Sequence, residues 1–210
     1  MEMEAQRSGE QSFPKRGRWA LERYKCLEAF EWSVQIEFDK SITLWHIVTD
    51  ICYYSDDCRS STDSPSHMTK LLSDYMMYLL IVCPYMLAIT TAVGDKIFQD
   101  TCDRVMEMFR DKPCMREKEA CKMILGIEEA TTDGSISKWN ILPSGQELAR
   151  TLMDKEDKWK IISRVWVEML CYAACHCQVN YHAQHLRRGG ELITNVWLLL
   201  LPMTAHPSKT

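Results

Sequence analysis

Glycine and proline are scarce in this chain, at 8 and 7 of 210 residues. With 46% apolar and 26% charged residues, that scarcity excludes collagen-like, low-complexity and largely disordered chains. Positive charge is also short. Lys plus Arg number 25 against 29 Asp plus Glu, a net charge of −4, so no overall basic field exists to hold a phosphate backbone and nucleic acid is not an expected partner. No glycosylation acceptor occurs, because Asn140, Asn180 and Asn195 each lack the hydroxyl residue two places on. The first ten residues carry Glu2, Glu4 and Glu10 and no apolar h-region, which argues against a secretory signal or an Arg-rich transit peptide. The ending Ser208-Lys209-Thr210 only approximates a peroxisomal address. Ten cysteines without a secretory signal read as reduced thiols, so the expected compartment is the cytoplasm, with the nucleus as alternative.

What is present is apolar spacing of helical period. Trp19, Arg23, Cys26, Leu27, Phe30 and Val34 fall at steps of three and four with one polar exception. Ile42, Trp45, His46, Thr49, Ile51 and Cys52 form a second stripe, opened by Asp39 or Ser41 as N-cap. Met68, Leu71, Leu72, Tyr75, Met76 and Leu79 make a third, and Ile97, Phe98, Cys102, Val105, Met106 and Phe109 a fourth that closes before Pro113. The most regular stripe is Trp159, Ile162, Val165, Trp166, Met169, Leu170 and Ala173. Tyr75 to Gly94 runs twenty residues without a charge, about the length that spans a bilayer. Pro84 interrupts it and no Lys/Arg cluster flanks it, so two buried helices meeting at Pro84, and no stable membrane insertion, are expected. The run Val196 to Leu201 is too short to span.

Hydrophilic residues from Ser55 to Ser66 predict a mobile loop, and Asp133-Gly134 with Pro143 predict an ordered one over Gly126 to Gly145, pinned by Trp139, Ile141 and Leu142. Ser144-Gly145-Gln146-Glu147 has capping-box spacing, which predicts a helix start there. Gly189-Gly190 predicts a turn, followed by a last helix from Glu191 through Trp197 to Leu201. The expected fold is all-α, a single irregular multi-helix bundle over residues 16–201 with two polar loops, between flexible tails at 1–15 and 202–210. The Trp45 and Trp166 stripes should share one core, joined by the Trp197 helix.

Chemistry concentrates between Cys171 and His185, where Cys171, Cys175, His176, Cys177, His182 and His185 offer metal-ligating atoms. A Cys2His2 zinc site from Cys171, Cys175, His182 and His185 could close across a bend, but the spacing fits no standard finger; the competing reading makes the cysteines small core residues and the histidines part of a surface turn. Cys177 beside His176 is the local candidate for a thiol nucleophile, although neighbours on a helix point about 100° apart. His46, alone on an apolar stripe, reads as a hydrogen-bonded core residue. Arg187-Arg188-Gly189-Gly190 is one unrepeated RGG-like step, and it lacks the strand, Lys and Ser/Thr of a phosphate loop.

The segments Ser41 to Tyr54 (SITLWHIVTDICYY) and Leu72 to Leu80 (LSDYMMYLL) resemble the start of the plant domain of unknown function 594. Trp166 to Ala174 (WVEMLCYAA) and His182 to Leu199 (HAQHLRRGGELITNVWLL) resemble its C-terminal signature. The matches bracket roughly residues 40–200. Two departures from the family pattern stand out: Cys83 and Tyr85 flank Pro84 where family members often carry charge, and Leu200 to Thr210 replaces the usual His and Gly. The resemblance implies a helical plant module, commonly preceded by a membrane-spanning region (domain of unknown function 4220), with no established enzymatic activity. It carries over, as structural residues, Trp45, His46, Tyr75, Trp166, Glu168, His182, Gly189, Gly190, Glu191 and Trp197.

The expected function is that of a non-enzymatic protein–protein interaction module without catalytic residues or cofactor, its partner another protein. A free-standing copy of a normally membrane-linked domain could serve as a decoy or regulator. The alternative from a different class is a metal-dependent or thiol enzyme built on the Cys171 to His185 cluster, with zinc as its cofactor.

Overall fold

The computed structural model describes residues 15–56, 64–89, 94–110, 116–126 and 141–204; within these, the side chains of 94–98, 108–109, 126 and 203–204 are not described. Eleven α-helices and no strand occur among the described residues, the expected all-α class. Expectations for the N-terminal tail at 1–14, most of the polar loop (57–63), Asp133-Gly134, Trp139 and the end 205–210 fall outside them.

The first stripe is not one helix. It breaks into α1 (Arg18–Arg23), α2 (Leu27–Phe30) and α3 (Trp32–Gln35). Lys25 adopts φ 55° and the Cys26 amide donates back to the Leu21 carbonyl at 2.8 Å, a left-handed helix stop made without the glycine that usually announces it. α4 (Phe38–Ser55) begins earlier than its expected caps: Glu37 precedes it, while Asp39 is buried in the first turn and Ser41 Oγ donates to the Ser33 carbonyl at 2.7 Å. α5 (Pro65–Val82) starts where local chemistry dictates, with the Ser64 hydroxyl accepting from the His67 amide at 3.2 Å and Pro65 in the first turn.

The uncharged run supplies the end of α5 and then only a single 3-10 turn, Pro84–Leu87, not a second helix before residue 90. Pro84 disfavours helical backbone at Cys83, and Ala88 at φ 53° ends the turn. Among the described residues no helix is long and apolar enough to cross a membrane. The α5 stripe is also rotated from its expected position. Met68 and Leu71 are exposed, and Thr69, Ser73, Met76, Met77, Leu79 and Leu80 face inward.

Beyond α6 (Gly94–Phe109), where Met106 points to solvent, and α7 (Glu117–Gly126), α8 (Ile141–Met153) begins ahead of its expected capping box. Pro143 lies in the first helical turn, where its missing N–H costs nothing, so Ser144 is inside the helix and caps nothing. The last three helices are α9 (Lys158–His176), α10 (Val179–Leu186) and α11 (Leu192–Thr204). α11 continues past the expected stop at Leu201 and includes Pro202.

Packing runs α8 on α4, α4 on α5, α5 on α9 and α9 on α11, with α1 against α9 and α7 against α4. One apolar core includes Trp45, Met76, Leu152, Val165 and Trp166. Trp45 and Trp166 are both fully buried, and the Trp166 Nε1 donates to Thr49 Oγ1 at 2.9 Å, tying α9 to α4. The single-core expectation for the two tryptophan stripes is met.

Candidate functional site

The segment richest in chemical side chains is a structural latch. His182, fully buried, places Nε2 at 3.1 Å from the Ala174 carbonyl and Nδ1 at 3.1 Å from Thr194 Oγ1. A carbonyl only accepts, so Nε2 carries the proton and Nδ1 accepts from the Thr194 hydroxyl. The ring stacks on Trp197 with centroids 4.6 Å apart and planes 8° from parallel. Burial holds His182 below the ordinary imidazole range, opposed by the bond to Ala174, and His185 adds a small downward push. One neutral imidazole thereby joins α9, α10 and α11.

The neighbouring motif residues complete the latch. The chain enters α11 through Gly189 and Gly190 at φ 104° and 81°, and the Gly190 amide returns to the His185 carbonyl at 2.8 Å. Tyr75 of α5 accepts from the first-turn amide of Ile193 at 3.1 Å and donates to Glu191 at 3.3 Å, docking the start of α11. Tyr85 stands 3.2 Å from His185 Nε2, and its ring lies 4.8 Å from that of Tyr181. Near the middle of α9, Glu168 accepts from the amides of Gly17 and Trp19 at 3.1 and 3.2 Å, a remote cap for α1. Burial raises its carboxyl, and those amide bonds oppose the shift.

The ligand set of the zinc alternative is not assembled among the described residues. Among the described residues Cys171, Cys175, His182 and His185 form no ligand group: both His182 nitrogens are committed and His185 engages Tyr85. Nor do His176 and Cys177 form a pair. His176 hydrogen-bonds the Tyr172 carbonyl at 2.8 Å, while the buried Cys177 thiol lies 3.7 Å from Met86 Sδ. Burial pushes that thiol up to about 11, far from a nucleophilic thiolate.

A polar cluster that the sequence reading missed joins α4 to α5 around His46. Its Nδ1 lies 2.9 Å from Ser73 Oγ and 3.9 Å from Asp74, and its Nε2 lies 3.8 Å from Asp50. Lys70 reaches Asp50 at 3.3 Å and hydrogen-bonds Asp74. Burial pulls Lys70 down, but its bond to Asp74 and the charge of Asp50 outweigh it and the net shift is upward. Burial dominates at His46 and lowers it; Asp50 opposes, Lys70 reinforces, and Asp74 opposes. Ligand atoms of His46, Asp50 and Asp74 lie within 4.8 Å of one another, the one such group among the described residues. The Lys70 ammonium already contacts both carboxylates, supplying the positive charge a metal ion would bring. Ser73, His46 and Asp50 match the residue types of a nucleophilic triad, yet Ser73 is fully buried and beyond the reach of a substrate. The legible signals were two spacings of four, His46 to Asp50 and Lys70 to Asp74.

Two surface features complete the inventory. A groove of about 400 Å³ between α3, α4 and α8 is lined by Trp32, Ile36, Lys40, Leu44, Ser144 and Glu147, among others. On the latch side, α11 contains no charged residue and exposes Leu192, Leu198, Leu199 and Leu201, with Leu199 76% exposed. α5, whose Tyr75 docks that helix, exposes Tyr78, Ile81 and Val82, and the Tyr78 ring stacks on Tyr75 at 6.3 Å.

The α9–α11 latch falls within a stretch that matches a known family. Residues 151–203 match the family described as "Protein of unknown function, DUF594", which bears out the C-terminal resemblance read from the sequence. The motifs at 41–54 and 72–80 lie outside the matched residues. No curated protein and no solved structure matches the chain.

Proposed function

We propose that this chain is a non-enzymatic protein–protein interaction module, acting without a cofactor in the cytoplasm. The observation that carries the reading is the exposed apolar surface of uncharged α11, together with Tyr78, Ile81 and Val82 exposed on α5, the helix that docks its start. Exposed apolar surface on this scale is costly to leave in water and marks contact sites. The engagement of Cys177, His182 and His185 in contacts within the fold supports the same reading. The test is affinity capture with the purified chain as bait, wild type against Leu199→Glu. A protein retained by the wild type and lost by the variant is expected, with circular dichroism unchanged. Equal recovery by both baits would overturn it.

A further inference from the structure

We infer that the occupant of this face is a second copy of the same chain, the two α11 helices pairing antiparallel about a two-fold axis at Asn195. The inference rests on the interaction reading and names its partner. Along the outer side of α11 the exposed residues Leu192, Asn195, Leu199 and Pro202 recur at steps of three, four and three, the spacing of a helix-pairing seam. The polar member of that row lies where an isologous contact can use it. A primary amide offers both donor and acceptor, so Asn195 is complementary to its own two-fold mate, and the same register sets Leu192 against Leu198 of the other copy.

Charge agrees with that register. α11 has no basic residue in its last turn, while Arg187 and Arg188 stand exposed in the turn just before it. Antiparallel pairing about Asn195 brings the turn that carries those two cations toward the C-terminal, negative end of the second copy's α11. A parallel pair would instead juxtapose the four arginines. The area suffices as well. Leu192, Leu198 and Leu199, 41% to 76% exposed, present with Tyr78, Ile81 and Val82 on the order of 600 Å² per copy, the same order as the ~800 Å² each partner contributes to a standard interface.

The experiment is sedimentation velocity of the full chain across micromolar concentrations, for wild type, Leu199→Glu and Asn195→Asp, with circular dichroism melts as the folding control. A wild-type dimer is expected, and Leu199→Glu should dissociate more easily by about tenfold or more. Asn195→Asp sets two carboxylates against each other on the axis, so its dimer should weaken at neutral pH and recover near about pH 4, where carboxylates protonate. A wild type monomeric at every concentration overturns the pairing. So does a dimer indifferent to both substitutions. A monomer that still captures a different protein, or binds phosphatidylserine vesicles, through Leu199 also overturns it; the first of these leaves the interaction reading standing and the second removes both.

Discussion

Replacing Trp166 with Ala should destabilise the whole helical domain, because this indole is both a polar and an apolar link between α9 and α4. It is fully buried, its Nε1 donates to Thr49 Oγ1 at 2.9 Å, and the Thr49 hydroxyl donates onward to the Trp45 carbonyl at 2.6 Å. Truncation to Ala removes the ring contacts and leaves a cavity, a cost of about 3–5 kcal/mol. Thr49→Val keeps the volume but strands the indole N–H in an apolar interior, at about 1–3 kcal/mol. Trp166→Phe removes that donor, and because Thr49 keeps its bond to Trp45, Thr49→Val should cost less in the Phe background than in the wild type. The difference is the coupling between α9 and α4. Against the 5–15 kcal/mol of an ordinary domain, roughly, the Ala variant should be marginal or unfolded. Urea titrations followed by far-ultraviolet circular dichroism and by tryptophan fluorescence supply the numbers. If Trp166→Ala costs less than about 1 kcal/mol, or the chain unfolds in two separate transitions of which the variant moves only one, the shared core is refuted.

Stability should fall on acidification. Burial holds both His46 and His182 below their unfolded value, so their full contribution is present above about pH 6.5 and is lost as pH drops toward their folded values. Urea midpoints measured at several pH values check this, and His182→Phe should flatten the decline. Cys52 and Cys177, pushed up to about 12 and about 11 with burial the leading cause, should resist iodoacetamide in the native protein and react after denaturation, as peptide mapping would reveal. Gly17→Ala should lower thermal stability by more than about 1 kcal/mol, since a Cβ there would sit 2.9 Å from Val165 Cγ1 on a backbone with φ 103°. Gly189→Ala, at φ 104° with nothing within 4 Å, should cost only the backbone strain, and paired melting curves distinguish the two.

Local sequence determined the helical class, the start of α5 at Ser64-Pro65, the stop at Cys83-Pro84 and the turn at Gly189-Gly190, because a period, a cap or a fixed φ needs only neighbours in the chain. The same logic failed where the stop signal was silent. Lys25 takes the left-handed conformation without being glycine, so one apparent helix became three, and Pro143 fits a first turn as well as a loop. The exposed side of α5 was likewise illegible, since Met68 and Ser73 exchange the sides their hydropathy suggests only once α4 and α9 are in place.

The motif residues were legible as a set, but their duties were not. That His182 bonds Ala174 and Thr194, that Tyr75 caps a helix 118 residues away and that Glu168 caps α1 are facts of packing between distant segments. The cluster of His46, Asp50, Lys70 and Asp74 belongs with them: its ligand-like spacings are printed in the sequence, but only the approach of α5 to α4 places an ammonium between two carboxylates. Nor does the tertiary structure assemble Cys171, Cys175, His182 and His185 into a ligand group among the described residues. A helix turns each successive side chain by about 100°, so closeness along the chain does not bring side chains together in space.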